Sequence, residues 1–212
     1  IQNGDNGNSK ELPGDYILKD VNGDGVVNDL DKTPLFWSGS PLIHYGFNVE
    51  ASWKNFDFYA LFQGSALYTV QFDEVYAKML CFKGGNTPEY FYDRWHLSDP
   101  YDANSEWIPG EWPAIRLEQD MGSFYTRDSQ IWRKNASYLR LKTIEIGYTF
   151  SPRLMHKLGI GSLRIYANGN NLFTVCDPFV KAFDPEKIEG DYSAGLNYPL
   201  NKSFNFGLTL NF

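Results

Sequence analysis

Hydrophobic and polar residues alternate strictly over the last ten positions of the chain, residues 203–212, which read SFNFGLTLNF. This period of two predicts a β-strand with one apolar and one polar face. Ten residues at about 3.3 Å each, tilted by about 40°, rise about 25 Å, the height of the lipid-facing band of an outer-membrane barrel. A strand of a soluble β-sandwich has the same alternation, so this segment alone leaves both interpretations open.

The same alternation predicts a hairpin near the start of the chain. Residues 43–53 and 56–65 each present one apolar face, and Lys54 and Asn55 join them in a tight turn. Asn tolerates the positive φ that such turns often need. We therefore expect Asn55 to take that conformation.

Two more strands are predicted in the second half of the chain, at residues 137–150 and 163–173. In the first of them Ile144, Ile146 and Tyr148 share a face, but Arg140 and Lys142 fall in phase with them. A β-bulge near Lys142 would bring the two halves of this strand into agreement.

The connections between these strands alternate in length. Residues 65–136 and 175–202 form long connections, whereas residues 54–55 and 151–161 form short ones. Within the first long connection, residues 67–82 either extend the second strand or form a short helix. The alternation of long and short connections matches outer-membrane barrels, which place long extracellular loops opposite short periplasmic turns. At the short-turn side, where an aromatic girdle is expected, this arrangement places Trp53, Phe56, Tyr148, Phe150 and Phe212.

The predicted fold class is all-β, an antiparallel transmembrane β-barrel segment of about five strands with long extracellular loops. Five strands cannot close a barrel, and an open edge cannot face lipid, because its backbone groups would lack hydrogen-bond partners. We therefore expect other strands of the same protein to complete it. The chain divides into a loop region, residues 1–41, and a barrel region, residues 42–212.

Composition narrows the class of protein further. The net charge of −7 argues against nucleic-acid binding, which needs a basic surface. Six Trp, 14 Tyr and 16 Phe suit either interfacial girdles or a sugar-binding surface. Cys81 and Cys176 are far apart in sequence, and we expect free thiols rather than a disulfide. The chain opens on Ile1 without a signal peptide, so we expect a piece of a longer protein.

Residues 20–31, DVNGDGVVNDLD, have the spacing of a calcium-binding loop. Gly25 occupies the sixth position, where such a loop turns sharply. An ordinary Gly/Asn/Asp turn without metal is the alternative. The expected ligands of a structural Ca²⁺ are Asp20, Asn22, Asp24, the Val26 carbonyl, Asn28 and Asp31.

Together these segments resemble the C-terminal barrel segment of the SusC-like TonB-dependent outer-membrane transporters. The motifs that carry the resemblance are YGFN at 45–48, NFDFYALFQGS at 55–65, DRW at 93–95, PAIR at 113–116, SYLRLKTIEIGYTF at 137–150, RIYANGNNLFT at 164–174, FDPE at 183–186 and YPLNKSFNFGLTLNF at 198–212. The DVNGDG loop stands where that family has a similar one. These motifs cover nearly the whole chain.

The resemblance implies a 22-stranded barrel in the outer membrane of a gram-negative bacterium. It also implies an N-terminal plug, a SusD-like surface lipoprotein as partner, energy from TonB, and import of glycans or peptides. Nothing in the residues separates the two cargo classes.

Candidate binding residues lie in the long loop and on one strand face. Inward residues Arg164, Tyr166, Asn168 and Asn170 are expected to line the lumen or to hydrogen-bond the plug. The indole rings expected to stack on substrate, or alternatively to pack the loop, are Trp95, Trp107, Trp112 and Trp132.

The remaining function classes are weaker. Asp184 and Glu186 resemble a catalytic carboxylate pair, but no acidic residue lies in an apolar segment that would raise its pKa, so we do not expect an enzyme. The three histidines, His44, His96 and His156, show no metal or triad spacing. A secreted β-sandwich that binds carbohydrate and carries a calcium loop is the alternative function.

Overall fold

The structure is a computed structural model that describes residues 13–34, 36–72, 89–115, 130–186 and 198–212. Among these residues, no helix has the length and apolar character to span a membrane. The helices of the described residues are three short 3₁₀ turns at Asp29–Asp31, Glu89–Asp93 and Gln130–Trp132, together with α1 Pro152–Lys157 and α2 Pro178–Lys181. The strands are β1 Ile43–Trp53, β2 Phe56–Ala66, β3 Thr69–Gln71, β4 His96–Leu97, β5 Trp107–Ile108, β6 Arg133–Asn135, β7 Tyr138–Thr149, β8 Ser162–Val175 and β9 Ser203–Asn211.

A five-stranded antiparallel sheet contains the long strands that the structure describes, in the order β1-β2-β7-β8-β9. Its strands lie where the alternation predicts them, which confirms the antiparallel all-β class. Neighbours in the sheet are also neighbours in sequence, except that β2 and β7 are separated by the long connection. Such a meander is the topology of an up-and-down barrel wall.

The register places apolar side chains on one face and polar side chains on the other. In β9, Leu208 lies opposite Ile165 and Phe206 opposite Ala167, whereas Asn205 lies opposite Asn168. The apolar face is bare: Phe206 is 84% exposed. We call this apolar side of the sheet the outward face, because in a barrel the apolar side contacts lipid.

The predicted bulge at Lys142 is present. Thr143 lies opposite Leu61 and Leu141 opposite Phe62, so β7 carries one residue more than β2 between these pairs. On the other side of β7 the register also shifts, and Asn171 of β8 has a positive φ of 54°. The extra residue moves Leu139 and Leu141 to the outward face, where the remainder of β7 already presents its apolar residues.

The short-turn side carries the predicted aromatic cluster. Trp53 pairs with Phe56, Phe56 pairs with Tyr148, and the Phe56 and Tyr148 ring centroids are 4.7 Å apart. In the turn, however, the positive φ of 54° belongs to Lys54 and not to Asn55, so that expectation is wrong. The Lys54 ammonium lies 4.4 Å from the Trp53 ring centroid, a cation–π contact that favours this conformation.

The chain forms two compact units. The first comprises Ile1–Leu35 and Phe72–Trp132, and its described core consists of Val27, Phe72, Phe91, Trp112, Ala114 and Trp132. The second comprises Phe36–Gln71 and Arg133–Phe212 and contains the five-stranded sheet. The division at residues 41 and 42 from sequence remains a prediction.

Residues 67–72 neither extend β2 nor form a helix. Leu67 has a positive φ of 58°, which ends β2, and β3 then pairs with β6 so that Thr69 faces Asn135. Residues 73–82 lie outside the described residues.

The outward face generates a prediction. Replacing Leu208 by Arg places a charge on the apolar side of β9, and we expect it to cost about 2–4 kcal/mol of unfolding free energy in phospholipid vesicles. The measurement is denaturant unfolding of the intact protein after reconstitution.

The control is Asn205→Arg, which puts the same charge on the polar side of the same strand. We expect a much smaller loss for it. Equal losses for the two variants would mean that the apolar face of β9 does not contact lipid.

Candidate functional site

The four predicted lumen residues share the polar face of the sheet. Arg164, Tyr166, Asn168 and Asn170 occupy alternate positions of β8 and therefore point to one side. Asn168 donates to Glu145 at 3.3 Å and accepts from Asn205 at 2.8 Å. Polar side chains of adjacent strands thus form a hydrogen-bonded row across the sheet.

Arg164 is the centre of an ion cluster on this face. Its guanidinium donates to both carboxylate oxygens of Asp57 and, at 2.7 Å, to Glu145. It also lies 5.0 Å from the ring centroid of Tyr166. A Cβ on Gly147 would lie 2.6 Å from Asp57 Oδ1, so the glycine provides the space that the cluster occupies. With two carboxylates and one guanidinium, the cluster has a formal charge of −1.

A second ion cluster, the Arg140 clamp, consists of Arg140, Lys142, Asp184 and Glu186. Arg140 donates to Asp184 at 2.5 Å, to Glu186 at 2.7 Å and to the Thr174 hydroxyl at 2.9 Å. Lys142, the bulge residue, donates to Glu186 at 2.7 Å. Arg140 is 3% and Asp184 4% exposed, so this is a buried ion pair.

The clamp fastens the chain after β8 to strand β7. Asp184 has a positive φ of 64°, and its carboxylate accepts from the N–H of Glu186 at 3.1 Å and of Leu200 at 2.7 Å. The Tyr68 hydroxyl donates to the Pro185 carbonyl at 3.0 Å. One carboxylate therefore holds together two segments that are distant in sequence.

Burial raises the pKa of Asp184, but the hydrogen bonds from Arg140 and Leu200 outweigh it and hold the pKa below its usual value. Asp184 and Glu186 are thus structural carboxylates bound by cations. The arrangement does not resemble an acid–base pair, in which one carboxyl keeps its proton near neutral pH.

The DVNGDG loop adopts a closed conformation. Asp20 accepts from the N–H groups of Gly23 and Gly25, at 2.7 and 2.8 Å. Asp31 accepts from Val21 at 2.8 Å and from Asn28 at 2.7 Å, which closes the loop at its twelfth position.

The glycine at the sixth position turns as predicted, because Gly25 has a φ of 85°. The backbone N–H groups of Asn28 and Val21 lower the pKa of Asp31. No cluster of three or more His, Cys, Asp or Glu side chains with metal-site geometry occurs in the described part of the chain. Calcium binding, which uses Asn and carbonyl oxygens as well, remains a prediction.

The four candidate tryptophans differ in exposure. Trp132 is 1% and Trp112 6% exposed, and their ring centroids are 5.6 Å apart in the core of the first unit. Protein therefore covers the ring faces that a ligand would need. Trp95 and Trp107 are partly exposed, and ligand contact by them remains a prediction.

One cysteine and three histidines lie in the part of the chain that the structure describes. Cys176 is a free thiol, as expected, and burial raises its pKa. Cys81 lies outside the described residues. His44 hydrogen-bonds the Ser65 hydroxyl at 2.9 Å, and His96 hydrogen-bonds the Arg94 carbonyl at 2.8 Å. His156 lies in α1.

Comparison with known proteins gives consistent matches. No protein-family model matches the chain. The TonB-dependent receptors P3 and P26 of Formosa agariphila are 27% and 28% identical to it over 208 and 214 residues. These alignments cover 94% and 95% of this chain. The chain is a relative of the TonB-dependent receptors.

Solved structures agree with this relationship. The RagAB peptide transporter matches with a TM-score of 0.59 and 25% identity over 83% of the chain. The RagAB peptide importer in its closed-closed state matches with a TM-score of 0.60 and 26% identity over 89%. The resemblance drawn from the motifs is confirmed, and so is the barrel-segment fold.

The chain spans 19% and 20% of the length of the receptors P3 and P26, and 18% and 19% of the two RagAB chains. The expectation that the chain is not an enzyme agrees with these matches, because the matched proteins are receptors and transporters.

The Arg140 clamp was not found from sequence, although both of its motifs, YLRLK and FDPE, are part of the resemblance. One feature of the sequence does indicate that Arg140 needs a partner. In β7 the charged residue Arg140 lies between the apolar residues Leu139 and Leu141, and a charge in such a segment needs a partner if it is buried. The sequence does not say that the partner is 44 residues away.

Removing one charge of the clamp generates a prediction. Asp184→Asn keeps the shape of the side chain but leaves Arg140 buried with one carboxylate fewer, and we expect a loss of about 3 kcal/mol at neutral pH. Because the folded pKa of Asp184 is lowered, the loss should be constant above about pH 4, the unfolded value. It should shrink as the pH falls below that value and Asp184 becomes protonated in the native protein. The measurement is unfolding free energy against pH.

The control is Lys142→Met, which removes the partly exposed cation of the clamp. We expect at most about 1 kcal/mol for it. A loss for Asp184→Asn as small as that of Lys142→Met would show that the buried pair contributes no more than an exposed one.

Proposed function

We propose that the chain forms part of the wall of a TonB-dependent transporter in the bacterial outer membrane. The bare apolar face carries this proposal: Phe204, Phe206 and Leu208 are each two-thirds or more exposed along one strand, and soluble proteins rarely expose so large an apolar patch. Opposite them, the polar face supplies a hydrated surface for a lumen. The relationship with the TonB-dependent receptors supports the same function.

The cargo we propose is a peptide, with oligosaccharide as the second class. Support for peptide comes from RagAB, a peptide transporter with the same fold in this region. In this proposal Arg164, Tyr166, Asn168 and Asn170 belong to the polar wall of the barrel. Partly exposed indole rings of the long loop, Trp95 and Trp107, contact the cargo.

The partners we propose follow from the wall function. A plug and further strands from the same protein complete the barrel, a SusD-like lipoprotein covers it, and TonB supplies energy. In the described residues, the outer edges of β1 and β9 pair with no strand. An unpaired backbone edge cannot face hydrocarbon, so both edges need strands beside them.

A secreted carbohydrate-binding β-sandwich fits poorly. A sandwich buries the apolar face of each sheet against the other sheet. Here the outward face has no such cover within the described residues, as the 84% exposure of Phe206 shows.

Uptake by cells tests the transporter proposal. Cells that carry the intact gene should accumulate fluorescent oligopeptides, and cells without it should not. Dissipating the proton gradient across the inner membrane should abolish the accumulation, because TonB draws its energy there.

Labelled oligosaccharides form the parallel arm. Uptake of sugar but not peptide would reverse the order of the two cargo classes. If neither uptake depended on the gene, or if the protein fractionated in solution without detergent, the transporter proposal would be wrong.

We further propose that the DVNGDG loop binds one structural Ca²⁺. The loop already turns at Gly25 and closes at Asp31, as the motif requires. Oxygen atoms are the ligands that Ca²⁺ prefers. The residues that would hold the ion are Asp20, Asn22, Asp24, Val26 through its carbonyl, Asn28 and Asp31. Bound Ca²⁺ would offset two of the three negative charges that Asp20, Asp24 and Asp31 place within twelve residues.

Replacing both Asp20 and Asp24 by Ala tests the calcium proposal. At calcium 100-fold above its Kd, a native-state ligand adds about 2.7 kcal/mol, and the double variant should lose this increment. Thermal unfolding is measured in calcium and in chelator.

Asp29→Ala serves as the control, because Asp29 lies in the same loop but pairs with Lys32 at 2.9 Å. It should keep the calcium-dependent rise in Tm. If the double variant lowered Tm equally in calcium and in chelator, the loop would be a metal-free turn.

A further inference from the structure

The short-turn end of the sheet is basic, although the whole chain has a net charge of −7. Its cations are Lys54, in the turn between β1 and β2, and Arg153 and Lys157, in α1 between β7 and β8. Residues 51–56 and 148–163, which form this end, contain no Asp or Glu. The local charge is therefore opposite in sign to that of the chain as a whole.

Backbone hydrogen bonds hold the two short connections at the same end of the sheet. The N–H of Thr149 donates to the Asn55 carbonyl at 2.9 Å, and the N–H of Gly161 donates to the Asn211 carbonyl at 2.8 Å. Met155 is buried, so α1 packs against the protein. The turn and α1 are thus both attached to one rim of the sheet.

The acidic residues on the strands next to this rim lie on the polar face. Strand pairing assigns Glu50, Asp57 and Glu145 to that face. The Arg164 guanidinium binds two of these carboxylates, those of Asp57 and Glu145. The strands therefore direct their negative charges away from the outward face and leave the cations of the rim without acidic neighbours on that face.

Lys54 lies on the outward side of the rim. Its ammonium is 4.4 Å from the ring centroid of Trp53, an outward residue whose side chain is about two-thirds exposed. The rings of Phe56 and Tyr148 continue this outward aromatic cluster. Exposed Trp and Tyr rings are typical of the headgroup level of a membrane, where an apolar ring and a polar group are both accommodated.

The helix α1 separates apolar from basic side chains. At about 100° per residue, Leu154, Met155 and Leu158 fall on one half of its surface, and Arg153 and Lys157 fall on the other. Met155 packs against the protein, whereas Leu154 is nearly half exposed and Leu158 more than half exposed. An apolar half beside a basic half is the pattern of helical segments that lie in a membrane interface.

We propose that a basic rim, consisting of Lys54, Arg153 and Lys157, binds anionic phospholipids of the leaflet that faces the short turns. Leu154 and Leu158 enter the acyl-chain region, and the three cations contact headgroup phosphates. Charge complementarity favours an anionic lipid, because a zwitterionic lipid brings an ammonium that offsets its phosphate. Continuity with the outward face favours a lipid over a soluble anion. The proposal rests on the proposed membrane location of the chain.

Lipid competition tests the proposal. The intact protein in one detergent is offered equal amounts of phosphatidylglycerol and phosphatidylethanolamine with identical acyl chains, so that only the headgroup differs. Native mass spectrometry then measures which lipid stays bound. We expect about fivefold preferential retention of phosphatidylglycerol, the effect of one basic side chain near an anionic headgroup.

Two triple variants locate the preference. The rim variant replaces its three cations by Gln, and we expect it to retain the two lipids nearly equally. The control variant loses the same amount of charge from exposed lysines away from the rim and should keep the preference of the unaltered protein. The control substitutions are Lys19→Gln, Lys32→Gln and Lys202→Gln.

The depth of α1 in the membrane provides an independent measurement. In the intact protein with Cys81 and Cys176 replaced by Ser, a nitroxide is attached after either Leu158→Cys or Lys157→Cys, and the protein is reconstituted in vesicles. Collisions with oxygen report contact with hydrocarbon, and collisions with a water-soluble nickel chelate report contact with water. We expect oxygen to dominate at position 158 and nickel at position 157.

Three results would overturn the basic rim as a lipid site. They are equal retention of both lipids by the unaltered protein, the same loss of preference in the control variant as in the rim variant, and equal access of nickel to both nitroxides. Each of them leaves the membrane location of the outward face standing. A protein that stays in solution without detergent would instead overturn the membrane location itself.

Discussion

The backbone hydrogen-bond ladder is the interaction on which the rest of this sheet depends. A backbone N–H or C=O without a partner costs several kcal/mol in hydrocarbon, so a strand in a bilayer must pair along its whole length. The ladders of β1-β2, β2-β7, β7-β8 and β8-β9 run nearly the full length of each strand. Pairing then fixes which residues lie on the apolar outward face, because a slip of one residue would turn every side chain to the other face.

The bulge in β7 shows how strictly strand pairing determines the face on which each side chain lies. Without the extra residue at Lys142, Leu139 and Leu141 would point to the polar side and Arg140 to the outward side. The bulge corrects all three positions at once and leaves the ladder intact above and below it. It also directs Lys142 to Glu186, so the same irregularity contributes one cation to the Arg140 clamp.

The alternation of apolar and polar residues along the strands also determines which side chains lie on the polar face. Charges excluded from the outward side collect opposite it, and Arg164, Asp57 and Glu145 come from three adjacent strands of the sheet. Ion pairs satisfy these groups within the sheet, and Gly147 leaves them room. The ion pairs of the polar face therefore form entirely between strands of this sheet.

Most of the sheet could be predicted from the sequence because its determinants are local. Period-two alternation locates the strands, and a phase change within residues 137–150 locates the bulge. The conformation of the turn was less predictable. The sequence places both Lys54 and Asn55 in the turn, but the cation–π contact between Lys54 and Trp53 depends on the three-dimensional structure.

The side-chain partners at the candidate sites could not be predicted, because they depend on contacts between distant residues. Arg140 and Asp184 are 44 positions apart, and no local pattern pairs them. In the sequence, nothing distinguishes Trp112 and Trp132 from Trp95 and Trp107, which lie in the same long connection. Packing in the first unit separates the buried pair from the partly exposed one.

The clamp also explains how long connections can leave such a sheet without weakening it. A flexible connection adds little entropic cost as it lengthens, but motion at its base would pull on the ladder. Asp184 counters this by holding Glu186 and Leu200 together, while Arg140 ties both to β7. The chain that leaves β8 and the chain that enters β9 are therefore attached to β7 by a buried ion pair as well as by the backbone ladder.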